Sequence, residues 1–168
     1  MYGCDRRRDS LVRLGRLFRP GLENARTIGR YSFAVAGEFV AYVVATVALG
    51  HDEPHAADVR VVDLRKRTRS DPGGKNGAGC SGYAVSVDAL VAASTGAIAW
   101  ICVSGDSRGS VIEVWKSGAR GDVLLDESAD TDAPSDGPQI GQYSLALSGY
   151  GPTVYWTKGG AAYSAPLD

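Results

Sequence analysis

The sequence predicts an all-β fold made of repeated four-stranded antiparallel units, and three observations carry that expectation. The longest apolar segments are rich in β-branched and aromatic residues: Val40, Tyr42, Val43, Val44, Thr46 and Val47 all favour a strand over a helix. The chain is also self-similar. Residues 33–42 (FAVAGEFVAY), 90–100 (LVAASTGAIAW) and 145–156 (LALSGYGPTVYW) each read as an apolar strand, a glycine-containing turn and a second apolar strand ending in an aromatic. Those aromatics, Tyr42, Trp100 and Trp156, stand 58 and 56 positions apart, so the period is nearly constant while the intervening loops differ in composition. Finally, 168 residues with 44% hydrophobic and 22% charged side chains give enough apolar material for one packed domain and fall outside the disordered range.

The elements follow in order. Residues 1–30 read as the outer hairpin of an incomplete unit and a linker, with residues 2–14 resembling the hairpin expected over 112–125; an amphipathic helix over 10–18, with Leu11, Leu14, Leu17 and Phe18 on one face, is the alternative. A first repeat occupies 31–75, a second 83–127 and a partial third 142–168, all within a single domain of 1–168. After each aromatic a third strand is expected, over 58–66, 110–116 and 161–167. The cluster Ser117-Gly-Ala-Arg-Gly-Asp122 then turns into a short fourth strand at Val123-Leu-Leu125. Strands 39–47 and 97–103 are apolar on both faces, as strands held between neighbouring sheets must be. The third strands alternate, with Val59 and Val61 on one side and Arg60, Val62 and Leu64 on the other.

Four-stranded sheets repeated radially, with buried inner and more polar outer strands, build β-propeller blades. On these residues and on turns such as 63–68 and 116–121, the sequence over roughly 30–168 resembles bacterial β-propeller repeats, without the Trp-Asp dipeptide of WD repeats. The resemblance implies a partial propeller of about three blades, fewer than the roughly four to eight of closed rings. It also implies a non-catalytic binding or scaffolding module that contacts a protein partner through loops at one end of its sheets, or self-associates to complete the ring.

Charge excludes some classes. Lys and Arg number 18 against 19 Asp and Glu, so no net field draws the chain to nucleic acid or an anionic membrane. The balance is uneven: residues 1–70 hold 13 basic and 8 acidic side chains, residues 71–168 hold 5 and 11, giving +5 and −6. The arginines at 6, 7, 8, 13, 16 and 19 read as a solvated hairpin face. No secretory signal is legible at the N-terminus, so the chain is expected to be cytoplasmic, or secreted or in the cell envelope if an upstream signal is missing. Residues 31–50, with Glu38 as their one charge, raise the alternative of a membrane-anchored envelope protein. The Gly37-Glu38 interruption leaves only residues 39–49, too short for a spanning helix.

Weak catalytic and metal signals remain. Gly105-Asp-Ser107-Arg-Gly109 matches G-x-S-x-G, but a strand pattern follows where a nucleophile elbow needs a helix. A small serine hydrolase or protease is the alternative function, using Ser107 with His51 or His55 and Asp88 in the chain order of chymotrypsin-like enzymes. Gly-Asp-Ser resembles their serine motif, although Arg108 stands where that motif has glycine. The G-x-G-x-x-G match at 77–82 lies in a glycine-rich loop without a strand feeding it, so no cofactor is expected. His51, His55 and Asp58 are candidate metal ligands, and the acidic run Asp126, Glu127, Asp130, Asp132 and Asp136 offers carboxylates to calcium without EF-hand spacing. Of three cysteines, Cys102 reads as a buried small hydrophobe, and Cys4 and Cys80 as a candidate disulfide.

Overall fold

The computed structural model describes the backbone of residues 2–5, 10–13, 26–47, 54–72, 83–106, 109–129 and 137–168, and side chains over 33–44, 57–72, 86–105, 109–129 and 137–168. Among the described residues there are thirteen strands and no helix. A hairpin of β1 (Tyr2–Asp5) and β2 (Ser10–Arg13) comes first, so a strand stands where the helical alternative for residues 10–18 would begin. The first sheet is the meander β3 (Arg26–Ala36), β4 (Phe39–Val47), β5 (Pro54–Asp63) and β6 (Thr68–Ser70). The second is the meander β7 (Tyr83–Ala92), β8 (Ile98–Asp106), β9 (Gly109–Gly118) and β10 (Gly121–Ala129). A third sheet of three strands contains β11 (Ala146–Leu147), β12 (Thr153–Lys158) and β13 (Ala161–Pro166). Every pairing is antiparallel.

Within each sheet the period-2 alternation of side chains decides which residues meet the neighbouring sheet. On β4, Ala41 and Val43 join Val59 and Val61 of β5 to face the second sheet. There they meet Val87, Ile98, Trp100 and Cys102 in one buried cluster. The intervening residues of β8, Ala99 and Ile101, turn the other way with Ile112 and Val114 of β9, onto Val154, Trp156 and Leu167 of the third sheet. Val40, Tyr42 and Val44 fill the remaining face of the first sheet with Val62 and Leu64. The residues at 42, 100 and 156 therefore occupy the second strand of each sheet, and all three are buried. Trp100 and Trp156 each face the preceding sheet, and Tyr42 points to the corresponding side of its own.

Residues 31–47 form two strands joined at Gly37-Glu38 rather than a helix. No helix of the described residues is long and apolar enough to cross a membrane.

Contact between the first two sheets reaches their turns. Gly96, between β7 and β8, has φ of 89°, and a side-chain carbon there would lie 2.7 Å from the Phe39 ring of β4. Replacing Gly96 with valine imposes a strained left-handed backbone and displaces Phe39, and should destabilise the fold by about 1–3 kcal/mol. Urea unfolding reads this as a lower midpoint, and an unchanged midpoint would show that Phe39 and Gly96 are not in contact.

Candidate functional site

An open cleft of about 600 Å³ lies where the turns of the first two sheets come together. One wall is the β5–β6 hairpin, with Asp63, Lys66 and Arg69. The other holds the β7–β8 and β9–β10 turns, with Thr95, Gly96, Ser117 and Asp122, and Asp168 closes one end. The local sequence explains the hairpin. Asp63 accepts a hydrogen bond from the Lys66 backbone N–H at 2.8 Å, an Asx-type turn, and Arg67 adopts φ of 58° to close the loop. Leu64 N–H also donates to the Glu38 carbonyl at 2.9 Å, tying this hairpin to the β3–β4 turn.

The cleft's charges are arranged in pairs. Lys66 lies 3.8 Å from Asp63, Arg69 lies 3.2 Å from Asp71, and Asp71 is also 3.5 Å from Arg60. At that last distance the buried Arg60 Nε makes an ion pair without hydrogen-bond geometry. Lys116 donates to the Asp168 carboxylate at 2.9 Å and to the Pro166 carbonyl at 2.8 Å, and Arg120 approaches the other Asp168 oxygen at 3.6 Å. The first of these contacts, with Lys116, holds the Asp168 carboxyl below its ordinary pKa. Hydroxyls of Thr68, Ser70, Thr95 and Ser117 and part of the Phe39 ring complete the lining. Such a surface can hydrogen-bond a polar ligand and stack a flat apolar group.

The catalytic candidates are not brought together within the described residues. Ser107 and His51 lie outside them. His55 falls within β5, but its side chain is outside the described set. Ser107 and Arg108 separate β8 from β9, and the register closes with Asp106 opposite Gly109, so the G-x-S-x-G match sits between two antiparallel strands. Asp88 is the extra residue at an irregularity in β7 between Val87 and Ala89. Of the metal candidates, Asp58 is exposed and 3.8 Å from Arg60. No group of three or more His, Cys, Asp or Glu side chains suited to a metal occurs among the described residues. The match at 77–82 lies outside them.

Within the acidic run, Asp126 has a structural role that its spacing did not suggest. A bulge sets both Leu125 and Asp126 opposite Val114 and turns the carboxylate toward the third sheet. There it accepts hydrogen bonds from Trp156 Nε1 at 2.9 Å and Lys158 Nζ at 2.7 Å, while Lys158 also donates to the Glu127 carbonyl at 2.8 Å. Burial is the largest single influence on this carboxyl and by itself raises its pKa. Lys158, the Trp156 indole and the Glu127 amide together outweigh it, and the pKa falls below the ordinary value. Asp130, Asp132 and Asp136 lie outside the described residues.

Cys102 is both buried and disulfide-bonded, so reading it as a plain buried thiol is corrected. Its sulfur lies 3.7 Å from Glu113 Oε2, a contact without a shared proton because a disulfide sulfur has none to donate. The side chains of Cys4 and Cys80 are outside the described residues.

No protein-family model matches the chain, and no curated protein matches it.

Two measurements check these assignments. The stabilisation from Asp126 is fully present above the ordinary carboxyl pKa of 3.8 and is lost as pH falls through the lower folded value. Asp126→Asn should cost about 1–3 kcal/mol at neutral pH, leaving Lys158 and Trp156 poorly matched. Urea unfolding of both proteins should show that gap narrowing below pH 3.8, and a gap independent of pH would rule the clamp out. Separately, thiol titration of the unfolded, unreduced chain should find one free thiol, and three after reduction; three before reduction would disprove the bond at Cys102.

Proposed function

We propose that the chain is a non-catalytic binding module whose three sheets are consecutive blades of an open, propeller-like array, with the cleft between the first two blades as its contact site. The observation that carries this reading is the cleft, built from turns of two successive sheets and lined by paired charges, hydroxyls and an aromatic ring. The propeller-like arrangement is supported by the repeated polarity of packing, in which the second-strand aromatic of the second and third sheets lies against the sheet before it. In propellers and other repeat arrays each unit buries its core against its neighbours, and the ends and loops are left for recognition. The ligand class that fits is a neutral, hydroxyl- or amide-rich molecule such as a glycan or an extended peptide. A strongly charged ligand would have to break ion pairs already formed within the cleft. The disulfide at Cys102 favours an oxidising compartment, in keeping with a secreted or envelope protein.

The test is binding to immobilised glycan and peptide arrays, comparing the natural chain with a Lys66→Glu, Arg69→Glu variant. Both positions are exposed, so circular dichroism should stay unchanged. A selective signal that falls at least about tenfold in the variant is the expected outcome. No selective signal on either array, or equal binding by the two proteins, would defeat the proposal.

A further inference from the structure

We propose that Arg65 and Arg67, at the tip of the β5–β6 hairpin and outside the lining of the cleft, form a second binding site that takes the oxyanion groups of an acidic polysaccharide. The distribution of cations singles this tip out. Eight Lys and Arg side chains are described, and seven of them have a carboxylate within 3.8 Å. The eighth, Arg67, has no ion pair among the described residues. Five of the eight fall between residues 60 and 69, so positive charge is concentrated on one hairpin of a chain whose net charge is −1. From Arg65 to Ser70 every side chain is exposed, and these six residues hold four cations and no carboxylate.

The backbone gives an independent indication. Arg67 has φ of 58°, a left-handed conformation that glycine adopts freely and that crowds a side chain. No other described non-glycine residue has a positive φ. The loop holds it there: the Asp63 carboxylate accepts the Lys66 N–H, Leu64 is buried, and the Leu64 N–H donates to the Glu38 carbonyl. Arg67 thus stands where glycine would be less strained, beside two further cations that repel it. What the chain gains at that position is the guanidinium. Because the turn is fixed before any ligand arrives, little ordering is needed on binding.

Residue types choose the ligand. A guanidinium is a planar fork that matches carboxylate or sulfate oxygens, and the hydroxyls of Thr68 and Ser70 on the adjoining strand suit the hydroxyls of a sugar chain. The exposed stretch has no aromatic ring on which a single-stranded base could stack. It also has no apolar side chain to enter a bilayer or anchor a protein partner. The disulfide at Cys102 favours an oxidising compartment, where polysaccharides rather than nucleic acids are the common polyanions. A polyanion meeting Arg67 breaks no ion pair, and the Arg65–Glu38 pair, 3.7 Å between exposed groups, is weak enough to be exchanged. The tip and the cleft therefore select different ligands.

Fluorescence anisotropy on the full chain tests this, with labelled heparin and labelled alginate as probes and neutral dextran and a DNA duplex for comparison, at about 50 mM salt. The expected result is binding to at least one acidic polysaccharide that weakens as salt rises, and none to dextran. Arg67→Gly removes the charge and suits the backbone, so the urea midpoint should be unchanged or higher while affinity falls at least about threefold. Arg65→Ser combined with Arg67→Gly should lower affinity at least about tenfold. Neither position lines the cleft, so this loss is distinct from the loss of array binding expected of the Lys66, Arg69 variant. No binding to heparin or alginate, equal binding by the double variant, or tighter binding to the duplex than to either polysaccharide would overturn the proposal.

Discussion

A β-strand sends alternate side chains to opposite faces, so a strand with a packed layer on both sides must be apolar at every position. β4 and β8 meet that demand. From Val40 to Val44, and from Ile98 to Cys102, each consecutive residue is buried. One parity of β8 fills the interface with the first sheet and the other parity fills the interface with the third. A one-residue slip in the pairing of β8 would exchange Trp100 with Ala99 across the sheet and spoil both interfaces together. At about 1.5–3 kcal/mol for each large apolar side chain removed from water, these central strands hold the three sheets together.

The two interfaces differ in what surrounds their aliphatic centres. Between the first and second sheets, Trp100 and Trp115 stack with centroids 6.4 Å apart, and the Trp115 indole N–H is buried without a partner. Between the second and third, the indole of Trp156 is satisfied by Asp126, which also holds Lys158. A satisfied polar group in a partly buried position fixes one arrangement of the two surfaces, because sliding would leave a carboxylate or an ammonium unpaired. Leu167 adds to this interface. It is fully buried, and Lys116 holds the segment through the Pro166 carbonyl and the Asp168 side chain.

Much of the strand pattern was legible because it depends on local chemistry. The β-branched run before Val47, the glycines at 37 and 96, and the three spaced aromatics gave the second strand of each sheet. The alternation of Val59, Val61 and Val62 gave the two faces of β5. Long-range pairing was less legible. Asp126 looked like one member of an acidic run with carboxylates to offer a cation, because the bulge that turns it toward Trp156 has no signature in a single sequence. Cys102 looked inert because its apolar strand context is that of any buried small residue, whereas bonding depends on which cysteine the fold brings near. The cleft was invisible for a similar reason. Its walls come from turns about 30 residues apart in the chain, and each turn alone reads as an ordinary polar loop.

The cleft stays open because the second sheet's wall is made of residues that cannot fill it. Gly96, Ala97, Ser117, Gly118 and Ala119 line that side, and two of the glycines have no room for a larger residue. At Gly96 the obstacle is the Phe39 ring, and at Gly118 it is the backbone of Asp168. The long cations are on the opposite wall, where Asp63 and Asp71 hold Lys66 and Arg69 by their charged ends. Small residues on one side and tethered long ones on the other leave a volume that side-chain motion within the chain does not readily close. Exposed ion pairs each contribute at most about 1 kcal/mol, so these pairs are weak as stabilising contacts. Their larger consequence is electrostatic: with cations and carboxylates matched in pairs, the cleft presents no run of charge of one sign.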